Sequence, residues 1–258
     1  MIANPQDVDD AIRRAARLIK ASRKAVVLTG AGYSTPSGVP DFRSQGSGLW
    51  TKYLPMEVAS LSTFRYDPEK FFAWLRPLAS HMMGAKPNRA HIALAELENA
   101  GYIKAIVTQN IDFLHQRAGS KTVLEIHGTF NTLTCISCYR QYSSMDFMES
   151  YISDGVTPYC PDCHNLLKPD VILFEEQLPV RTWMLAQEAS STCDLMLVAG
   201  TSLEVMPSAS LPVKALDNGA HLIMVNKSPT FIDERADLLF LDDVAEIIPR
   251  IAKEVLRG

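Results

Sequence analysis

The sequence predicts an α/β fold: a parallel sheet with helices on both faces, interrupted by one small inserted lobe. Three observations carry this. Short, apolar, β-branched runs alternate with helical segments along most of the chain, the pattern of a parallel sheet buried on both sides. Glycines follow directly on the first such run, at Gly30-Ala31-Gly32. Two Cys-x-x-Cys pairs, Cys135/Cys138 and Cys160/Cys163, fall where the alternation breaks.

Taken in order, Val8, Ile12, Ala15 and Ile19 mark one face of a helix over 7–21. AVVLTG (25–30) reads as a buried strand, and 32–68, rich in Gly, Pro and Ser, as a long functional loop. A helix over 69–83, kinked at Pro77, and a helix over 90–101 with a glycine stop follow. Further buried strands are read at 103–108, 122–127, 194–200 and 221–226, and further helices at 181–191, 207–217 and 244–257. The expected division is a sheet domain of 1–131 and 169–258 with a lobe of 132–168 inserted.

The 258 residues suit one large domain, or a domain and a small lobe, at ~150 residues per domain. A hydrophobic share of 47% supplies a core, and 21% charged residues is ordinary for a globular chain. The net charge of −4 argues against a protein held to nucleic acid by bulk positive charge, so no direct nucleic-acid binding is expected. No apolar run approaches the ~18 residues of a membrane helix. MIANPQDVDD is acidic where a signal peptide would be basic. The expected location is cytoplasmic, without a membrane.

The cysteines give the lobe its chemistry. Four thiolates in two pairs, 21 residues apart, suit Zn²⁺ in a tetrahedron. A lobe of this size buries too little to fold alone, so a metal explains its stability. Four protein ligands leave no open position, which makes the zinc structural. A zinc-ribbon lobe is therefore expected, with His164 a neighbour of the site and Cys193 a small buried hydrophobe.

Glycines after a first strand let backbone N–H groups approach a pyrophosphate. The dehydrogenase pattern, however, wants a third glycine where Thr35 stands. It also wants an acidic residue at a second strand end about 20 residues on, where this chain reads GLWTKYLP. Taken alone, the loop is either a nucleotide cradle of another kind or a plain strand-to-helix turn. Its continuation is more specific. Gly30-Ala31-Gly32-Tyr33-Ser34 with Gly38-Val39-Pro40-Asp41-Phe42-Arg43 resembles the first signature of the sirtuins, the NAD-dependent protein-lysine deacylases. The resemblance continues through Thr108-Gln109-Asn110-Ile111-Asp112, Leu114-His115, His127-Gly128, the four cysteines, Lys168-Pro169-Asp170-Val171, Gly200-Thr201-Ser202 and Val225-Asn226. It implies a Rossmann-like NAD-binding domain and acetylated lysine peptides or proteins as partners. It also implies a reaction without hydride transfer. The acyl oxygen attacks the nicotinamide ribose and nicotinamide leaves. A histidine base then activates a ribose hydroxyl, which attacks the alkylimidate, and water completes release of free lysine and 2′-O-acyl-ADP-ribose.

His127 is the expected base: it follows an apolar strand, at the end where α/β proteins bind ligands, and imidazole accepts protons near neutrality. By resemblance, Asn110 and Asp112 belong to the nicotinamide pocket, Gln109 to the ribose, and His115 supports the pocket. The cofactor loop offers Gly30, Ala31, Gly32, Ser34, Thr35, Asp41, Phe42 and Arg43, with Phe42 covering the reactive ribose. Gly200, Thr201 and Ser202 approach phosphate or ribose, Asn226 the adenine ribose, and Asp243 with Val244 the adenine. An extended peptide would add as a strand between Val171–Phe174 and Leu203–Val205, using Ile172, Phe174 and Val205.

Two residues depart from the family pattern: Tyr33 replaces a small aliphatic residue, and Glu175 replaces glycine. The second removes freedom at positive φ and is expected to add negative charge to the peptide groove. The Tyr-x-x-Arg of the desuccinylase branch is absent. Leu75 and Leu78 stand near those positions, Arg76 is expected to face elsewhere, and a neutral acetyl group is the expected substrate. Three rival readings remain at this level: a zinc-containing NAD oxidoreductase, a zinc-ribbon nucleic-acid binder, and ADP-ribosyl transfer on the same fold.

Overall fold

A computed structural model describes residues 5–41, 48, 51 and 53–257. The chain runs through α1 (Pro5–Ala21), β1 (Ala25–Thr29), α2 (Pro55–Val58), α3 (Leu61–Tyr66), α4 (Pro68–Gly84), α5 (Arg89–Asn99), β2 (Ile103–Thr108), α6 (Leu114–Arg117) and β3 (Val123–Glu125). It continues through β4 (Gly128–Cys135), β5 (Gln141–Ser143), α7 (Met145–Asp154), β6 (Leu167–Val171), α8 (Val180–Thr192) and β7 (Leu195–Ala199). The last elements are α9 (Ser210–Asp217), β8 (His221–Asn226), β9 (Leu238–Leu241) and α10 (Val244–Leu256).

Six parallel strands form one sheet in the order β3-β2-β1-β7-β8-β9. Alternate residues explain why these strands read as apolar runs. Val27, Leu197 and Ile223 pack against α1, α5 and α10. Their neighbours Val26, Leu28, Met196 and Met224 pack against α8 and α9 on the other face. The order reverses between β1 and β7, and such a reversal opens a crevice beyond the carboxyl ends of the strands.

Three expectations are corrected. The segment 32–68 is not all loop: it holds α2 and α3, with Ser60 and Asp67 capping α3 and α4 by accepting from Thr63 and Lys70 N–H groups. The strand at 122–127 shortens to a half-buried edge strand, because β3 has a neighbour on one side alone. The final strand β9 was not read, being four residues long with every second residue exposed.

A second sheet, β5-β4-β6, is antiparallel and carries the cysteines. Gly128 starts it at φ +76, and a Cβ there would lie 2.0 Å from the Asp170 carbonyl oxygen, so only glycine fits. A separate apolar cluster joins Phe64, Phe72 and Leu75 to Phe130 of β4 and to Met148 and Tyr151 of α7. Among the described residues no helix is long and apolar enough to cross a membrane.

Candidate functional site

The loops after β1 and β7 interlock at the crevice. A Cβ on Gly200, at φ +66, would lie 2.3 Å from the Tyr33 nitrogen, and one on Gly30 would lie 2.7 Å from Thr201 Cβ. The glycines bring the two strand-end loops together at the switch point. Thr201 N–H donates to Asn226 Oδ1 at 2.9 Å, while the buried Asn226 Nδ2 has no partner among the described residues. Gln109 bridges the same region, donating to Thr201 Oγ1 at 3.0 Å and accepting from Ser208 at 3.2 Å.

Beside the crevice lies a polar floor hung from the ends of β1 and β2. Ser34 donates to Asp112 Oδ2 at 2.6 Å and accepts from Asn110 Nδ2 at 3.0 Å. Asp112 Oδ1 accepts from Leu114 N–H at 3.0 Å. Burial raises the Asp112 pKa, against the opposing pull of the Ser34 and Leu114 hydrogen bonds. A buried chain supports this floor from beneath. Thr29 donates to Thr108 Oγ1 at 2.8 Å, and Thr108 Oγ1 also accepts from Asn110 N–H at 3.1 Å. With its proton so used, Thr29 accepts from His115 Nε2 at 3.0 Å, which sets that ring's tautomer. Burial holds His115 neutral by lowering its pKa. The expected supporting role of His115 thus has a concrete form.

His127 stands two residues beyond β3 and directly before β4. Its Nδ1 is 3.2 Å from the Gln109 carbonyl oxygen. A carbonyl only accepts, so Nδ1 carries the proton and the basic lone pair of the neutral ring is on Nε2.

Ser34, Asn110, Asp112 and His127 face a cavity of about 290 Å³. The apolar part of its lining, its wall, includes Val39, Trp74, Leu75, Leu78 and Met82. Ile172, Phe174 and Val205 line it too. Arg76 turns away from this wall, as the sequence predicts, and donates to the carbonyls of Ile152 and Ser153 at 2.8 and 2.7 Å. It thereby binds the last turn of α7. Tyr151 of α7 also donates to the Phe72 carbonyl at 2.5 Å.

Glu175 adopts φ 75, a positive φ held despite the side chain. The residue is exposed and lines the cavity, and its Oε2 accepts from Ser62 N–H at 2.8 Å, at the start of α3. Hydrogen bonds from the Ser62 side chain and N–H lower its pKa. The backbone is tied there too, by Leu61 N–H to the Phe174 carbonyl and Phe174 N–H to the Ala59 carbonyl, both 3.0 Å.

The four cysteine sulfurs lie within 4.8 Å of one another. Cys135–Cys163 and Cys138–Cys160 are 3.4 and 3.7 Å apart. A zinc tetrahedron with ~2.3 Å Zn–S bonds has edges of ~3.8 Å, so the set fits a structural zinc.

Of the sequence-derived site residues, Ala31, Ser34, Gln109, Asn110, Asp112, His127, Ile172, Phe174 and Val205 line the one cavity. Gly30, Gly32, Gly200, Thr201 and Asn226 meet at the adjoining crevice. Thr35 donates to the Gly32 carbonyl. Asp41 is half-buried and Ser202 exposed. Val244 places its side chain in the core, and Asp243 caps α10 and pairs with Lys227. Phe42 and Arg43 lie outside the described residues. Sequence reasoning missed Trp74 and Met82 on the wall and Ser208 against Gln109, and gave Val39, within the quoted signature, no role of its own. Trp74 and Met82 look like ordinary core residues in any local reading.

The sequence model of the Sir2 family matches residues 30–207. An NAD-dependent protein deacylase 2 of Archaeoglobus fulgidus is 45% identical over 251 residues, covering 97% of this chain and 98% of the relative. An NAD-dependent protein deacetylase of Thermotoga maritima is 42% identical, covering 92% and 95%. Among solved structures, one reported under the mechanism and regulation of Sir2 enzymes superposes with a TM-score of 0.88 at 45% identity, over 96% of this chain and 99% of the other. A Sir2–p53 peptide–NAD⁺ complex superposes with a TM-score of 0.84 at 40% identity, over 94% and 98%.

Proposed function

The chain belongs to the Sir2 family, and from that premise we propose how its residues perform NAD-dependent deacetylation of protein lysines. The observation that carries the reading is the single cavity where a polar floor and a histidine base meet an apolar wall. The residues present fit the cofactor. The unpartnered Nδ2 of Asn226 offers a buried donor at the end of β8, suited to a ribose hydroxyl. When bound, NAD supplies an activated anomeric carbon and takes up the acyl group, giving nicotinamide and 2′-O-acetyl-ADP-ribose.

Around it the chain's own groups divide the work. Asn110 and Asp112 hold the nicotinamide end, already oriented by Ser34 and the Leu114 N–H, so little reorganisation is needed on binding. Gln109, fixed by Thr201 and Ser208, faces the ribose. His127 Nε2 takes a proton from a ribose hydroxyl, and the Gln109 carbonyl steadies the positive ring that results. The wall of Trp74, Leu75, Leu78 and Met82 accepts the acyl-lysine stem and keeps water away. Gly30, Gly32, Thr35, Gly200 and Thr201 serve the phosphates and riboses, and the zinc holds the lobe.

Acyl-lysine peptides are the partners in this reading, entering between Ile172–Phe174 and Val205. Nucleic acid and membrane are not, and the net charge of −4 supports the first exclusion. The place of action is the cytoplasm. The test is incubation with NAD and an acetyl-lysine peptide, with products identified by mass spectrometry. Nicotinamide, free-lysine peptide and acetyl-ADP-ribose are expected. NADH would instead indicate an oxidoreductase, and ADP-ribosylated protein a transferase.

A further inference from the structure

Asn88 lies outside the cavity and outside every motif considered above. It is the N-cap of α5: its Oδ1 accepts from the N–H groups of Ala90 at 2.9 Å and His91 at 3.3 Å. Its own N–H donates to His91 Nδ1 at 3.3 Å, completing a reciprocal cap. Serine, threonine or aspartate would serve such a cap equally well, since the side chain need only accept. Asparagine also carries an amide nitrogen, and here it is used. Nδ2 donates to the Tyr33 carbonyl at 2.9 Å and to Ser37 Oγ at 3.0 Å.

Those two acceptors bracket Ser34, whose hydroxyl joins Asn110 to Asp112. The segment between them is two tight turns, closed by Ser37 N–H to the Ser34 carbonyl at 2.9 Å and Gly38 N–H to the Thr35 carbonyl at 3.0 Å. Tyr33 is moored to the same helix end. Its hydroxyl donates to the Ala90 carbonyl at 2.8 Å, and its ring meets His91 edge-on at 4.9 Å. The 33–37 segment of the cofactor loop is thus held at both ends by one side chain at the start of a helix that does not line the cavity.

We propose that Asn88 is a positioning residue for the cofactor loop, fixing Tyr33 and Ser37 through its amide nitrogen so that Ser34 is held in the polar floor. The inference rests on the reading of that floor as part of the NAD site. Asn88→Ser tests it, because serine retains the cap and lacks the amide nitrogen, its one short hydroxyl being unable to replace both N–H donors. The expected result has three parts. KM for NAD rises on the order of 10-fold, as two hydrogen bonds that order the loop are lost, while kcat at saturating NAD changes little. Amide exchange at Ser37, Gly38 and Val39 accelerates. Protection in α5 is unchanged. Asn88→Ala, which removes the cap as well, should in addition weaken α5.

Unchanged KM and unchanged loop exchange in Asn88→Ser would overturn the proposal. So would loss of protection in α5 alongside the loop, since that is a capping effect alone. Absence of NAD-dependent deacylation in the wild-type protein would instead reject the function proposed above. The exchange measurement would still decide whether Asn88 holds the loop.

Discussion

The two sides of the cavity are anchored differently. The floor residues Ser34, Asn110 and Asp112 follow the sheet strands β1 and β2 and are bonded to one another and to backbone. The apolar wall residues Leu75, Leu78 and Met82 come from α4, a helix inserted between those strands and docked on α7 of the metal lobe. The floor cannot shift without breaking several buried hydrogen bonds, each costly to leave unmade. The wall offers shape and dryness, and its position depends on the lobe behind it. In the proposed reading, reaction chemistry rests on the sheet and acyl selection on the insertions.

Changes that strike one side should leave the other measurable. On the floor, His127→Ala should lower kcat/KM for an acetyl peptide by ~10²–10⁴, the usual worth of a general base. NAD affinity and melting temperature should stay near wild type, and calorimetry with steady-state kinetics checks all three. Behind the wall, Cys160→Ala should release the zinc, since structural sites owe ~10–16 kcal/mol of lobe folding to the metal. With α7 loosened, peptide KM should suffer more than NAD affinity. Metal analysis together with the two binding curves would contradict this if the zinc went and peptide KM held.

Beneath the floor, burial pushes the His91 pKa down to about 3. The unfolded chain takes up that proton below ~6.5, so protons favour unfolding between these values. Stability then falls as pH drops through this window, by up to ~1.4 kcal/mol per pH unit for this group. Glu125 acts in the opposite sense, because burial lifts its pKa from 4.5 to about 7. The readout is therefore the difference between wild type and His91→Gln in denaturant titrations from pH 7 to 4, with the variant losing less. At the lip of the wall, Glu175→Gln should alter peptide kcat/KM less than about twofold, because the amide oxygen can still accept from Ser62. Peptides with basic or acidic flanks should be affected alike. A strong charge-dependent change would mean that the Glu175 charge acts on the peptide despite its tie to Ser62.

The same contrast explains what the sequence made legible. β1, β2, β7 and β8 are buried on both faces, so their apolar runs announce them without reference to the rest of the chain. The floor was legible because its residues cluster within short motifs, 108–112 and 30–35, at strand ends. The wall was legible only at Leu75 and Leu78. Met82 shares the α4 face of Leu75 and Leu78 and Trp74 adjoins it, while Val39 reaches the wall from a separate segment through packing. Glu175 shows the limit most clearly. Its departure from glycine was visible, but where its carboxylate goes depends on α3, which the Gly- and Pro-rich composition of 32–68 concealed.

The most direct measurement joins both sides of the cavity in one vessel. Wild-type protein is incubated with NAD and equimolar acetyl-lysine and succinyl-lysine peptides of identical sequence, and all species are followed by mass spectrometry. An unpaired carboxylate against the apolar wall costs several kcal/mol. The expected result is one nicotinamide and one acetyl-ADP-ribose per acetyl group removed, with the succinyl peptide largely intact. Equal consumption of the two peptides, or nicotinamide release without matching acetyl-ADP-ribose, would contradict the division between a catalytic floor and a selective wall.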